Sequence, residues 1–351
     1  MRNPFEPAGA PQPGPAASAP ARPAARSGIV APPHAGVAAA VGAGYDVAGP
    51  AAAATACTQA EPGRTYDAIF FDMDGTLVDL DPHTFLERFY RLLDARARRA
   101  GINAGVFTQA LDAGFMAMGD HPSTITNAAA FWNAFFDAYA AIAGPVLLKD
   151  KRTLVDFLQG FYDEEFPTIG EGVVPNPAAQ QAVATLAAKG YPLYLTTMPL
   201  FPREGVLARL AWAHVDGSLF SRMTCYDNST AVKPQLAYYY ENLAVAGARP
   251  DRVLMVGNNT VDDLVCLDAG MDAYLVTDCL INDNGFDVTT VKHGTLSQFA
   301  QFAQSLPAAA SRAAAEGRPN RSPLDDDPAG VRHAHPGDRS RKPQPQWEDR
   351  D

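Results

Sequence analysis

Tyr66-Asp67-Ala68-Ile69-Phe70-Phe71-Asp72-Met73-Asp74-Gly75-Thr76-Leu77-Val78-Asp79 is the stretch on which the reading of the fold turns. Its opening is a short apolar run bounded by polar residues, the pattern of a buried β-strand. Asp72 and Asp74 follow at once, and Gly75 permits a tight turn, so both carboxylates can face one pocket from the strand end. Acidic turns of this kind also cap ordinary strands and line calcium loops. An EF-hand loop would continue with alternating oxygen ligands and a Glu at its twelfth position, which Leu77, Leu80 and Asp81-Pro82-His83 do not fit.

Downstream, residues 82–166 space their apolar side chains as helices do: Phe85, Phe89, Leu92 and Leu93, then Phe131, Phe135, Phe136 and Tyr139, then Leu154, Phe157, Leu158 and Phe161. From Pro177 the pattern alternates. Helices are expected at 178–189, 203–212, 235–246 and 261–269, and strands at 193–196, 253–256 and 273–276. Such alternation predicts an α/β fold, a doubly wound parallel sheet with helices on both faces and a helical subdomain inserted after its first strand. Residues 64–80 and 172–306 form the expected core and 81–171 the expected helical cap. The segments 1–63, rich in Ala, Pro and Gly, and 307–351, rich in Pro, Arg, Asp and Ser, read as solvated tails. An organellar transit peptide is the alternative for the first, disfavoured by the lack of an amphipathic Arg/Ser helix.

Ligands of open parallel sheets bind at the carboxyl ends of the strands. There the chain carries Leu195-Thr196-Thr197-Met198-Pro199-Leu200-Phe201-Pro202, then Val232-Lys233-Pro234 leading into a helix, then Val256-Gly257-Asn258-Asn259-Thr260-Val261-Asp262-Asp263. With Asp72-Met73-Asp74-Gly75-Thr76-Leu77, these segments resemble, in order, the four motifs of the haloacid dehalogenase superfamily. The likeness covers roughly 67–276 and is nearest to members with an α-helical C1-type cap, such as phosphoglycolate phosphatases. Met198 stands where that family's TNPLFP form has Asn, and Asn258 where it usually has Asp.

The resemblance implies a Rossmann-like core and a Mg²⁺-dependent hydrolase of small phosphomonoesters. Asp72 would be the nucleophile that forms an aspartyl-phosphate, and Asp74 the acid and base. Thr197 would hold phosphate, with Thr196 as the fallback, together with Lys233. Mg²⁺ would be held by Asp72, by the Asp74 carbonyl and by an acid of the fourth motif, Asp263 by preference and Asp262 as second choice, beside Asn258. Dehalogenases lack an acid at the position of Asp74, which leaves phosphatases and phosphomutases. A non-catalytic descendant that binds a phospho-ligand or a partner protein is the remaining alternative, motivated by Asn258 and Met198. His83, Arg88, His121 and Lys149 are cap residues to which no role is assigned.

Composition limits the partners. The 351 residues are 47% hydrophobic, enough for a large core, and carry a formal net charge of −11. Neither nucleic acid nor an anionic bilayer is expected to bind such a surface. Cys57, Cys225, Cys266 and Cys279 are far apart and have no zinc-ligand spacing, as in reduced cytoplasmic proteins. No apolar run approaches the roughly 20 residues of a membrane span.

Overall fold

The computed structural model describes residues 57–144 and 151–309. The tails read from sequence at 1–63 and 307–351 lie outside the described residues except for 57–63 and 307–309. The opening stretch forms β1 (Ala68–Phe71), buried throughout. Four helices follow: α1 (Pro82–Arg99), α2 (Ala104–Gly119), α3 (Asn127–Ala143) and α4 (Lys151–Glu164). Beyond them come α5 (Pro177–Ala188), β2 (Leu193–Leu195), α6 (Arg203–Trp212), β3 (Phe220–Met223) and α7 (Leu236–Ala246). The chain continues with β4 (Val253–Gly257), β5 (Asp272–Val276), β6 (Lys292–Gly294) and α8 (Leu296–Ser305).

The strands make one sheet in the order β3-β2-β1-β4-β5-β6, every neighbouring pair parallel. This is the doubly wound arrangement, with a crevice where the strand order reverses beside β1. Alternation along β1 feeds two cores. Ile69 and Phe71 pack with α5, α6 and α8, whereas Ala68 and Phe70 pack with α7. Both faces of the sheet are therefore covered, which is why β1 and β4 carry no polar side chain.

The inserted helices form their own aromatic core. Phe89 meets Phe85, Phe115, Phe161 and Phe166 at centroid distances of 5.3–6.4 Å, mostly edge to face. Leu200, Phe201, Tyr226 and Val232 join this cluster from the loops that follow β2 and β3. Local signals fix the helix starts. Asp81 accepts the Thr84 amide at 2.8 Å with Pro82 in the first turn of α1, and Thr126 accepts the Ala129 amide at 3.2 Å at α3.

The expected helix over 261–269 is absent, and only a 3₁₀ turn, Leu264–Leu267, stands there. Asn259 Oδ1 accepts from the amides of Val261 and Asp262 as an N-cap does, but beyond Asp263 the backbone bonds reach three residues back, from Cys266 to Asp263, Asp268 to Val265 and Ala269 to Cys266, so no α-helix follows. β3, β6 and α8 have no counterpart among the elements read from the sequence. At the sheet's outer edge the Cys57 amide donates to the His293 carbonyl and the Ala60 amide to Ser305 Oγ, each at 2.8 Å. At the other terminus Ala309 donates to the Lys189 carbonyl at 2.8 Å and the Tyr191 hydroxyl to the Pro307 carbonyl at 2.9 Å. Residues 57–60 and 307–309 are thus held by the folded core.

Candidate active site

Register brings the strand ends together. Phe71 pairs with Leu195 of β2 and with Val256 of β4, so Asp72, Thr196 and Gly257 emerge side by side. Asp72 donates its amide to the Val256 carbonyl at 2.8 Å, and Thr196 donates its amide to the Phe71 carbonyl at 2.7 Å. Gly75 turns the chain at φ +79°, and a Cβ there would lie 2.2 Å from Asn258 Nδ2. Only glycine suits that turn, on conformation and on space alike. At Gly257 a Cβ would lie 2.2 Å from Asp263 Oδ2, so the β4 end must also be bare for Asp263 to fold back.

A cavity of about 60 Å³ opens at these strand ends, lined among others by Asp72, Asp74, Thr197, Arg209, Lys233 and Asp263. Asn258, Asn259 and Asp262 line it too, with Leu80, Pro82 and Phe85 from the cap side. Lys233 is at the centre. Its Nζ donates to Asp72 Oδ1 and to Asp263 Oδ1, each at 2.7 Å. Burial alone would lower the lysine pKa, but the carboxylates of Asp263 and Asp72 outweigh it and hold the ammonium well above its ordinary value. Burial pushes the Asp72 carboxyl up to about 7; Lys233 opposes the shift, while the charges of Asp263 and Asp74 add to it. Burial and the Asp263 charge push Asp262 up to about 6.

The two threonines separate. Thr196 Oγ1 donates to the Phe71 carbonyl at 3.2 Å, whereas Thr197 Oγ1 is buried with no partner among the described residues. The Thr197 carbonyl is gripped by Thr224 Oγ1 at 2.7 Å and by the Tyr238 hydroxyl at 2.8 Å. That grip fixes the backbone of Thr197 and leaves its hydroxyl for the cavity.

The fourth segment arranges its acids unequally. Asp263 Oδ2 accepts from the amides of Asn258 and Asn259 at 2.9 Å each, so with Lys233 on Oδ1 both of its oxygens are engaged. Asp263, the ligand preferred from the sequence, thus holds the turn and the lysine. Asn258 donates from Nδ2 to the Cys279 carbonyl at 2.6 Å and accepts from Thr76 Oγ1 at 3.1 Å. Asp262 Oδ2 accepts from Asn259 Nδ2 at 2.9 Å.

The haloacid dehalogenase-like hydrolase family model matches residues 66–270. The chain belongs to that family. Glyceraldehyde 3-phosphate phosphatase of Methanothermobacter thermautotrophicus is 24% identical over 236 residues, which span 64% of this chain and 94% of that protein. Among solved structures, a predicted phosphoglycolate phosphatase from Haemophilus somnus is 20% identical, with a TM-score of 0.40 over 66% of this chain and 95% of the other. The L-2-haloacid dehalogenase RSc1362 is 16% identical, with a TM-score of 0.41 over 69% and 100%.

For a divalent cation, this hydrolase offers oxygen donors only. Among the described residues Asp72 Oδ2 has just the Thr76 hydroxyl at 3.3 Å, Asn258 Oδ1 just the same hydroxyl, and Asp74 Oδ1 is buried with no partner. Such donors fit a hard ion such as Mg²⁺, which keeps several waters and needs few protein ligands. Among the described residues no three acids, His or Cys gather as a metal cluster by themselves. The cavity wall carries four carboxylates, Asp72, Asp74, Asp262 and Asp263, against two cations, Lys233 and Arg209. A phosphate dianion entering such a wall needs further positive charge.

Arg209 has no place in the sequence reading. It is 1% exposed on α6, and its Nη1 donates to Asp74 Oδ2. A signal existed: Val206, Arg209, Leu210 and Ala213 fall at the i, i+3, i+4, i+7 spacing of a buried helix face, and a charge sits on it. Of the cap residues considered, His83, Arg88 and His121 do not line the cavity, and Lys149 lies outside the described residues. Arg88 instead donates to the carbonyls of Ile169 and Glu171, at 2.9 and 2.5 Å.

Proposed function

We propose that this hydrolase is a Mg²⁺-dependent phosphatase that cleaves a small phosphomonoester through an aspartyl-phosphate on Asp72. One observation carries the reading. Asp72 and Lys233, 2.7 Å apart, share a cavity with the unpartnered Thr197 hydroxyl and with a second carboxylate, Asp74, two residues further on. Nucleophile, anion clamp and proton carrier are the parts that phosphoryl transfer to a carboxylate requires. Asp74 argues against dehalogenation, in which the leaving halide needs no proton.

Asp72 attacks phosphorus and the alcohol leaves, taking a proton from Asp74. Asp74 then draws a proton from the water that opens the acyl phosphate, releasing inorganic phosphate and restoring Asp72. Lys233 and Thr197 hold phosphoryl oxygens throughout. Asp72, the Asp74 carbonyl and Asn258 would hold Mg²⁺ with an acid of the fourth segment, either Asp263, whose Oδ1 accepts from Lys233 and keeps a second lone pair, or Asp262 at the rim. When bound, the ion supplies the positive charge that the acidic wall lacks and keeps Asp72 ionised.

The cavity of about 60 Å³ holds a few waters. Leu80, Pro82 and Phe85 line its cap side, so a cap that opens between turnovers would widen the entrance. Likeness to a protein named glyceraldehyde 3-phosphate phosphatase supports a small phosphorylated metabolite as substrate. Phosphate release from p-nitrophenyl phosphate and a panel of metabolite esters, with and without Mg²⁺, tests the reading. We expect Mg²⁺-dependent turnover that falls at least about 10³-fold in Asp72→Asn. Unchanged turnover in that variant would sink the aspartyl nucleophile.

A further inference from the structure

We infer that Arg209 is a positioning residue, one that holds the Asp74 carboxyl by Oδ2 and so leaves Oδ1 as the oxygen that meets the reacting groups. The inference rests on the phosphatase reading and adds to it a residue on α6, outside all four sequence motifs. Arg209 is anchored on three sides: Nε donates to the Gly205 carbonyl at 3.2 Å, Nη1 donates to Asp74 Oδ2, and the guanidinium carbon lies 4.8 Å from the Phe201 ring centroid. Phe201 packs in turn on Phe85 and Phe89 of α1, at 5.9 and 6.0 Å. The cation is held by the packing of the helical subdomain against the core.

A buried ion pair usually gives no more stability than apolar side chains of the same volume. Val206 and Leu210 on the same helix face show what packing alone would select. The guanidinium also keeps Nη2 buried with no partner among the described residues, a cost that stability does not explain. Among the described residues its one carboxylate partner is Asp74, and that pairing is one-sided. Oδ2 is bound, whereas Oδ1 is buried with no partner among the described residues.

With Oδ2 taken by the guanidinium, Oδ1 is the oxygen left to exchange a proton. Asp74 Oδ1–H gives its proton to the leaving alcohol, and the carboxylate that remains stays paired with Arg209 through Oδ2. In the second half-reaction Oδ1 takes a proton from the attacking water, which restores the starting state. Water and ester are consumed, alcohol and phosphate are produced, and Arg209 keeps its protons throughout. Arg209 touches Asp74 and not the phosphorus, so its removal acts through the proton transfer.

The test compares two esters in one preparation of each variant, with Mg²⁺ present. Glycerol phosphate has a poor leaving group that needs the acid; p-nitrophenyl phosphate has a good one that needs it little. The ratio of their kcat/KM values does not depend on how much of the preparation is folded. We expect Arg209→Met to lower kcat/KM about 10²-fold for glycerol phosphate and less than about tenfold for the aryl ester. Asp74→Asn should change the ratio likewise, and the double variant should be no worse than Asp74→Asn alone. Arg209→Lys, a smaller cation without the planar fork, should recover part of the ratio, and it decides the matter if Arg209→Met does not fold. Equal losses on both esters, or effects that multiply in the double variant, would overturn the inference and leave the phosphatase reading standing. A wild type that releases no phosphate from either ester would overturn both.

Discussion

Asn258 ties the end of β4 to the loop after β5. Its amide nitrogen faces the Cys279 carbonyl at 2.6 Å, and its own carbonyl accepts the Ile281 amide at 2.9 Å. A carboxylate here would set acceptor against acceptor across that short distance, so neutrality is what the loop requires. Asn258→Asp should lower the melting temperature, at a cost of about 1–3 kcal/mol, yet reduce the Mg²⁺ needed for half-maximal activity by about tenfold. Thermal melts and a Mg²⁺ titration read the two effects separately, and a variant more stable than wild type would show that the Cys279 contact is dispensable. Gly75→Ala strikes the same side chain from the other direction, with a left-handed φ as well as a clash, and a loss of about 2 kcal/mol or more is expected in urea unfolding. Asp72, Thr197 and Lys233 were legible because each ends a strand or precedes a helix, where chain order alone brings them to one rim. The engagement of Asp263 was not, since it depends on two backbone amides of a turn whose shape a sequence pattern does not report.

Elements with a buried, periodic face were the legible ones: α6 falls at 203–212 as expected, and α7 begins one residue late, at Leu236. Residues 261–269 misled because their apolar spacing is helical, whereas beyond Asp263 the backbone bonds close one residue short of an α-turn, from Cys266 to Asp263 and from Ala269 to Cys266. β6 went unread because its three residues, Lys292-His293-Gly294, carry no strand pattern and owe their place to pairing with β5. An ion pair binds these two strands. Lys292 Nζ lies 2.7 and 2.8 Å from the oxygens of Asp272, and the Tyr66 hydroxyl donates to the same carboxylate at 2.6 Å. Burial alone would raise the Asp272 pKa, but the Lys292 and Tyr66 hydrogen bonds outweigh it and hold the carboxyl below its usual range. A depressed pKa means that the folded state favours the ionised form, so this stabilisation is present above the unfolded value near 4 and is lost as pH falls through the folded one. Asp272→Asn should therefore cost about 1–3 kcal/mol at pH 7 and at pH 5, with the gap to wild type narrowing below about pH 4. Urea unfolding at these pH values checks the sign; a gap that widens in acid would refute it.

At the scale of the molecule, two junctions decide how the parts act together, and composition hid both. Residues 57–60 and 307–309 lie in stretches whose composition reads as tail, yet their backbones hydrogen-bond to β6, α8 and the α5–β2 turn. A chain beginning at residue 64 should accordingly be less stable than one beginning at 57, by about 1–2 kcal/mol for the lost Cys57 and Ala60 bonds. Equal urea midpoints for the two would show that these bonds contribute nothing. The second junction joins the helical subdomain to the sheet through Asn127 at the start of α3, which is fully buried. Asn127 Nδ2 donates to the carbonyls of Pro199 and Ala231 at 3.2 Å each, its amide donates to Ser229 at 2.8 Å, and the next amide, of Ala128, donates to Tyr226 at 2.8 Å. Pro199 lies two residues after Thr197 and Ala231 two before Lys233, so one side chain from the inserted helices steadies the segments that carry both residues. Asn127→Ala leaves two buried carbonyls unpaired, a loss of about 2 kcal/mol or more. Because the strands keep their own pairing, the loosening should stay local: amide exchange should rise over 224–233 while β1 and β4 remain protected, and KM should rise more than kcat falls. Uniformly faster exchange across the sheet would mean that Asn127 supports the whole fold rather than the junction.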